Sequence, residues 1–103
     1  MKVEITDFAK SELRKIHNYH VQVASPEIAT KLINKILDAI VELAQLPSIG
    51  SKEPLLRELN KNYRYIVCAN YKIIFYNTEK VIYITDIFDC RQNPVKITKR
   101  NRQ

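Results

Sequence analysis

The residues from Asn62 to Arg91 constrain the fold more than any other part of the chain. This stretch, NYRYIVCANYKIIFYNTEKVIYITDIFDCR, is dense in Tyr, Ile, Val, Phe and Thr, which suit a pleated, half-buried surface. Two short polar breaks interrupt it, Ala69-Asn70 and Asn77-Thr78-Glu79-Lys80. Both are short enough for hairpin turns, and Asn tolerates the positive φ that tight turns demand. The stretch therefore predicts an antiparallel meander with strands near Tyr63–Cys68, Tyr71–Tyr76 and Val81–Phe88. Arg64, Lys72 and Arg91 punctuate it, and the functional question is whether these cations share a surface.

Upstream, the pattern changes from alternating to helical. Lys2–Ile5 alternates, with Val3 and Ile5 on one side, and reads as a first strand. Thr6-Asp7 then offers an N-cap followed by an acid where the helix dipole favours it. Ala9, Leu13, Ile16, His20 and Val23 recur at three- and four-residue steps and predict a first helix. Ser25-Pro26-Glu27 is a second start signal, since Ser caps and Pro fits the first helical position. Ile28, Leu32, Ile36, Ile40 and Leu43 follow, broadened by Ala29, Ile33, Leu37 and Ala44, up to Gln45-Leu46. So few residues separate the helices that they form an antiparallel hairpin. Pro47 to Pro54 reads as a loop, Leu55–Leu59 as a strand, and Gln92-Asn93-Pro94 as the stop of the last strand. The expected order is β-α-α-β-β-β-β: an α+β fold with the hairpin on one face of a small, mostly antiparallel sheet. The other face is then expected to be free for function.

Length and composition limit the alternatives. A chain of 103 residues has room for one core, so residues 1–103 are expected to form one domain, with a basic, frayed tail at 98–103. A hydrophobic content of 46% is too high for a disordered chain. The single Gly excludes the glycine-rich phosphate loops. Apolar runs are too short to span a bilayer, so no membrane partner is expected and the setting is read as cytoplasmic. Cys68 and Cys90 read as reduced core thiols. No metal and no cofactor is implied, because His17 and His20 lie on a different element from the cysteines.

Charge is uneven. Residues 1–90 hold twelve Lys/Arg against eleven Asp/Glu, whereas residues 91–103 hold Arg91, Lys96, Lys99, Arg100 and Arg102 with no acid. Such an end favours a polyanion such as RNA, or an acidic protein. No nucleophilic triad can be assembled, and Asp86 and Asp89, three apart on a strand, point to opposite faces. The cations in aromatic company remain. Arg and Lys stabilise the anionic intermediate of phosphodiester cleavage, and Glu53, on the loop facing the meander, is positioned by sequence to act as base.

The element order, together with PSIGSKEPLLREL, NYRYIV, NYKIIFY and IYITDIFDCRQNP, resembles the RelE/ParE superfamily of type II toxin–antitoxin toxins, from the first strand to about Ile97. The resemblance implies a two-helix hairpin on a small sheet, a toxin that inhibits growth, and a cognate antitoxin held in a hetero-oligomer. RelE-like members cleave mRNA on the ribosome without a metal, whereas ParE-like members poison DNA gyrase. Within GSKEPL, Glu53 falls at a catalytic Glu of YoeB-like toxins. Lys72 stands where that branch has a catalytic Arg, keeping charge but losing the bidentate fork. Arg91 falls at a phosphate-stabilising Arg. Arg64 corresponds to a cation found in both branches. Asn93 and Pro94 replace a terminal His and Tyr, and Ile97 falls near a late catalytic Tyr.

The leading expectation is thus a toxin acting as a ribosome-dependent endoribonuclease. Glu53, Arg64, Lys72 and Arg91 would be catalytic, and Lys61, Lys96, Lys99 and Arg100 would contact RNA. A gyrase inhibitor without chemistry of its own is the alternative, and a catalytically inactive antitoxin-binding relative is the third reading. The nuclease expectation requires the three cations to converge within a nucleotide's breadth.

Overall fold

A computed structural model describes residues 1–46, 51–52 and 62–92. Strand β1 spans Lys2–Ile5, helix α1 Asp7–Val23 and helix α2 Pro26–Gln45. Strands β2 (Ser51–Lys52), β3 (Arg64–Cys68), β4 (Tyr71–Asn77) and β5 (Val81–Asp89) follow. The α+β order is the one the sequence predicts. Strand β2 is the difference, because Ser51–Lys52 lies inside the expected loop and pairs antiparallel with β3, Lys52 opposite Arg64. The expected strand at Leu55–Leu59 and the tail at 98–103 lie outside the described residues.

Each helix begins where its cap is. Thr6 Oγ1 accepts from the Ala9 N–H at 3.2 Å, and Ser25 Oγ accepts from the Ile28 N–H at 3.2 Å, which satisfies donors that have no partner within the helix. Pro26 occupies the first turn of α2, where its missing N–H costs nothing.

The sheet runs β1-β5-β4-β3-β2. Only β1 and β5 are parallel; the other pairs are antiparallel. The β3–β4 hairpin turns through Ala69-Asn70, and the positive φ, 54°, belongs to Ala69, not to the Asn expected to carry it. The β4–β5 hairpin is closed by Thr78, whose N–H donates to the Val81 carbonyl at 2.8 Å and whose Oγ1 accepts from the N–H groups of Lys80 and Val81.

A bulge organises β5. Ile74 pairs with Asp86 and Phe75 with Ile84, which leaves Thr85 as the extra residue. The shift returns Ile87 to the side already occupied by Ile82 and Ile84. Those three side chains, with Ile73 and Phe75, pack under Ile16, Ile36, Ile40 and Leu43 of the hairpin. The bulge also anchors the start of α1, because the Thr6 N–H donates to the Ile84 carbonyl at 3.0 Å.

The second face is not free, contrary to expectation. Ile74 and Asp86 are fully buried and Phe88 is 1% exposed there, with Tyr63, Tyr65 and Tyr76 packed around Ile74 and Phe88. The chain buries apolar surface on both faces of its central strands, and alternation in the meander was a weaker guide than its density of apolar residues. Among the described residues, no helix is long and apolar enough to cross a membrane.

Candidate functional site

The ladder between β3 and β4 decides where two of the three cations lie. Arg64 sits opposite Phe75, and Lys72 opposite Val67. Residues directly across a ladder share a face, and successive residues alternate. Phe75 belongs to the core beneath the helices, so the register assigns Arg64 to the helix side. Lys72, an odd number of residues from Phe75, falls on the opposite side. Its ammonium stands 4.3 Å from the centroid of the Tyr65 ring, within cation–π range.

Arg91 lies elsewhere again, in the turn just after β5. Asp89 pairs across the ladder with Tyr71, which packs in the helix-side core. The Asp89 carboxylate accepts from Arg91 three times: from the backbone N–H at 2.9 Å, from Nε at 3.0 Å and from Nη2 at 2.9 Å. That bidentate hold raises the guanidinium's affinity for its proton. It also keeps the Asp89 carboxyl below the usual range, the side-chain hydrogen bond from Arg91 being the largest cause. The expected convergence of Arg64, Lys72 and Arg91 therefore does not occur, because alternation sends two of them to opposite faces and the third into a turn with its own carboxylate. Glu53, Lys61, Lys96, Lys99 and Arg100 lie outside the described residues.

The face carrying Lys72 is aromatic. Tyr76 and Tyr83 stack with centroids 5.1 Å apart at 25°, and Tyr63 meets Tyr76 edge-on at 5.5 Å. The deeply buried Asp86 faces the same side as Ile74, its ladder partner. Asp86 and Asp89 thus occupy opposite faces, as their spacing predicts.

Sequence reasoning missed a cleft on the helix side. It opens between α1 and the adjoining ends of β4 and β5, and it holds about 440 Å³. Its floor is Ile16, Ile87 and Tyr71, and its walls are Tyr19 of α1 and the Asp89–Arg91 pair. His20, read as a packing residue on the apolar stripe, is fixed at its edge: Nε2 lies 3.1 Å from the Tyr71 hydroxyl. Burial, then the nearby Asp89 charge, pushes the Tyr71 hydroxyl above its ordinary pKa, so it stays neutral. A sequence signal for the cleft existed. Phe8 and Tyr19 fall off the Ala9–Leu13–Ile16–His20–Val23 stripe and are exposed, and Val23, at the end of that stripe, is exposed as well. Cys90, expected in the core, is also exposed, whereas Cys68 is buried; both are free thiols.

Comparison with known proteins agrees with this architecture. Residues 3–94 match the sequence model of the family described as "ParE toxin of type II toxin-antitoxin system, parDE". A solved structure of the chromosomal ParDE toxin–antitoxin system from P. aeruginosa superposes with a TM-score of 0.73 at 24% identity, covering 86% of this chain and 95% of that one. At that identity the superposition speaks for the fold. No curated protein matches the sequence.

Proposed function

This chain belongs to the ParE toxin family of type II toxin–antitoxin systems, and from that premise we propose that it arrests growth by gripping DNA gyrase, not by cutting RNA. The observation that carries this reading is the placement of Arg64 and Lys72 on opposite faces of the sheet. In-line cleavage of a phosphodiester needs its cationic donors gathered around one phosphate, within hydrogen-bond distance of the oxygens that gain charge. Side chains separated by a sheet do not meet that need. Arg91 spends two of its guanidinium nitrogens on Asp89. Binding a protein target makes no such demand, since separate patches contribute to one interface.

A supercoiling assay tests this. Purified toxin at micromolar concentration is expected to inhibit gyrase, while mRNA in a translating extract stays intact. Unimpaired supercoiling at saturating toxin rejects the proposal.

One observation favours the second reading, ribosome-dependent mRNA cleavage. The Lys72 ammonium over Tyr65, on an aromatic face, is a combination that suits a nucleotide's phosphate and base. That reading needs Glu53, Arg64, Lys72 and Arg91 to meet at one scissile phosphate, which the register opposes for Arg64 and Lys72, with Lys61, Lys96, Lys99 and Arg100 holding RNA. Codon-biased mRNA fragments that disappear with Lys72→Met establish it. Unimpeded growth of cells expressing the toxin without its antitoxin selects the third reading, a catalytically inactive antitoxin-binding relative.

A further inference from the structure

Strand β1 carries a self-complementary edge. Among the described residues its neighbour in the sheet is β5, and its other edge faces outward. One hydrogen bond fixes the direction of its backbone groups. The Thr6 N–H donates to the Ile84 carbonyl, so Thr6 turns its N–H toward β5. Along a strand the N–H and C=O of one residue point the same way, and successive residues point to opposite neighbours. Lys2 and Glu4 therefore bond to β5, whereas Val3 and Ile5 present their N–H and C=O groups at the outer edge. Side chains alternate too. Val3 and Ile5 pack against the helix-side core. Lys2 and Glu4 stand on the other face, 68% and 48% exposed, and pair with each other at 3.0 Å.

A second copy of this edge fits the first in antiparallel order. With a two-fold axis between the Val3 residues, each Val3 N–H meets the Val3 carbonyl of the other copy, the close pairing that outward-pointing residues allow. The same register sets Lys2 opposite Glu4 of the other copy and Glu4 opposite its Lys2. Ile5 comes opposite Met1, and Phe8 follows in the first turn of α1. Met1 and Phe8 are 44% and 40% exposed, so contact between copies would remove apolar area from water. Registers shifted either way set Glu4 against Glu4 or Lys2 against Lys2, and like charges directly opposite are destabilising. Lysine on an edge strand ordinarily deters pairing. Here Glu4 on the same face turns that deterrent into a choice of one register. We propose that β1 is a homodimer interface, in which two copies of this chain join antiparallel through Val3 into one continuous sheet. The axis stands perpendicular to the sheet, so both helical hairpins lie on one side of it and both Lys72 side chains on the other. The pairing is independent of whether gyrase or mRNA is the target.

Sedimentation of the full chain over a concentration series tests this. The wild type is expected to pass from monomer to dimer, and amide exchange at Val3 is expected to slow as the dimer forms. Lys2→Glu and Glu4→Lys each set like charges opposite one another, and each alone is expected to weaken dimerisation by about tenfold or more. Mixed together, these two variants are expected to form a heterodimer, because every Glu then meets a Lys. Carrying both changes in one chain is expected to restore the homodimer. Both positions are exposed, and circular dichroism checks that the fold is kept. A wild type that stays monomeric up to its solubility limit overturns the interface. So does a dimer whose affinity neither single change alters, or one in which the Val3 amide exchanges as fast as in the monomer. Two toxin copies that come together only when an antitoxin bridges them overturn it as well.

Discussion

The two faces of the sheet are built from different chemistry. Under the helices the sheet's buried side chains are mainly aliphatic, Ile73, Ile82, Ile84 and Ile87, joined by the rings of Phe75 and Tyr71. On the other side Ile74 and Phe88 are ringed by Tyr63, Tyr65 and Tyr76, with Lys72 above Tyr65 and the carboxylate of Asp86 buried. The first face keeps its polar groups, Arg64, Tyr71 and Asp89, at strand ends and holds the hairpin mainly by shape and burial. The second combines a hydrophobic centre with hydroxyls and charges, which is the composition of a surface that also makes directional contacts. The difference shows that burial and function are not assigned to separate faces in a sheet this small. A residue's side matters more than its distance along the chain, and it is the side that separates Arg64 from Lys72.

The sharpest way to break this comparison is to remove a large side chain from each face. Phe75→Ala is expected to cost about 3–5 kcal/mol in urea unfolding, the range for truncating a fully buried Phe. Phe88→Ala is expected to fall in the same range, because Phe88 is as deeply buried as Phe75. A cost near zero for Phe88→Ala would mean that the second face is solvated after all. A smaller effect of opposite sign is expected at the turn that sets the register between the two cations. Ala69 at φ 54° occupies a region that costs a non-glycine residue about 1–2 kcal/mol, so Ala69→Gly is expected to raise stability by about 1 kcal/mol.

Most of this architecture is legible in the sequence. The caps at Thr6 and Ser25, the helical stripes and the hairpin breaks each announce their element locally. The side of each cation was legible as well. A two-residue turn at Ala69-Asn70 fixes Cys68 opposite Tyr71, and counting back places Lys72 opposite Val67 and Arg64 opposite Phe75. The parity of the two strands, not the aromatic neighbours of the cations, decides the side on which each lies. The bulge at Thr85 was not legible, since nothing in VIYITDIFD marks which residue is extra; the choice depends on Thr85 Oγ1 donating to the Ile74 carbonyl and on Thr6 docking beside it. The cleft was hidden for a related reason. Tyr19, Tyr71 and Arg91 lie far apart in sequence and meet only once α1 packs across the ends of β4 and β5.

The remaining predictions sharpen the contrast at its charged residues. Lys72→Met removes one cation–π contact and is expected to change stability by only about 0.5–1 kcal/mol. Its value lies in function: growth arrest persists under the gyrase reading and is lost under the RNA-cleavage reading. The smallest effect is expected at Asp89. Its folded-state pKa is depressed, so its contribution is present above the ordinary carboxylate value of 3.8 and is lost as pH falls through the folded value. Asp89→Asn is therefore expected to melt slightly below the wild type near neutral pH. The gap should close in acid, as read by the midpoint of thermal unfolding across a pH series.

Among the described residues strand β1 has one neighbour in the sheet, and that neighbour is the last described strand: Lys2 lies beside Val81. The opening strand therefore has no strand to pair with until almost all the described strands have left the ribosome, although Met1 also meets the Ala44 carbonyl of α2. At about 5–20 residues per second, roughly 4–16 s of synthesis separates the two. During that interval the poison is unfinished while its message is still being read. A sheet whose first described strand is closed by its last described strand is completed late in synthesis, which leaves an antitoxin already present in the cell those seconds in which to be waiting for it.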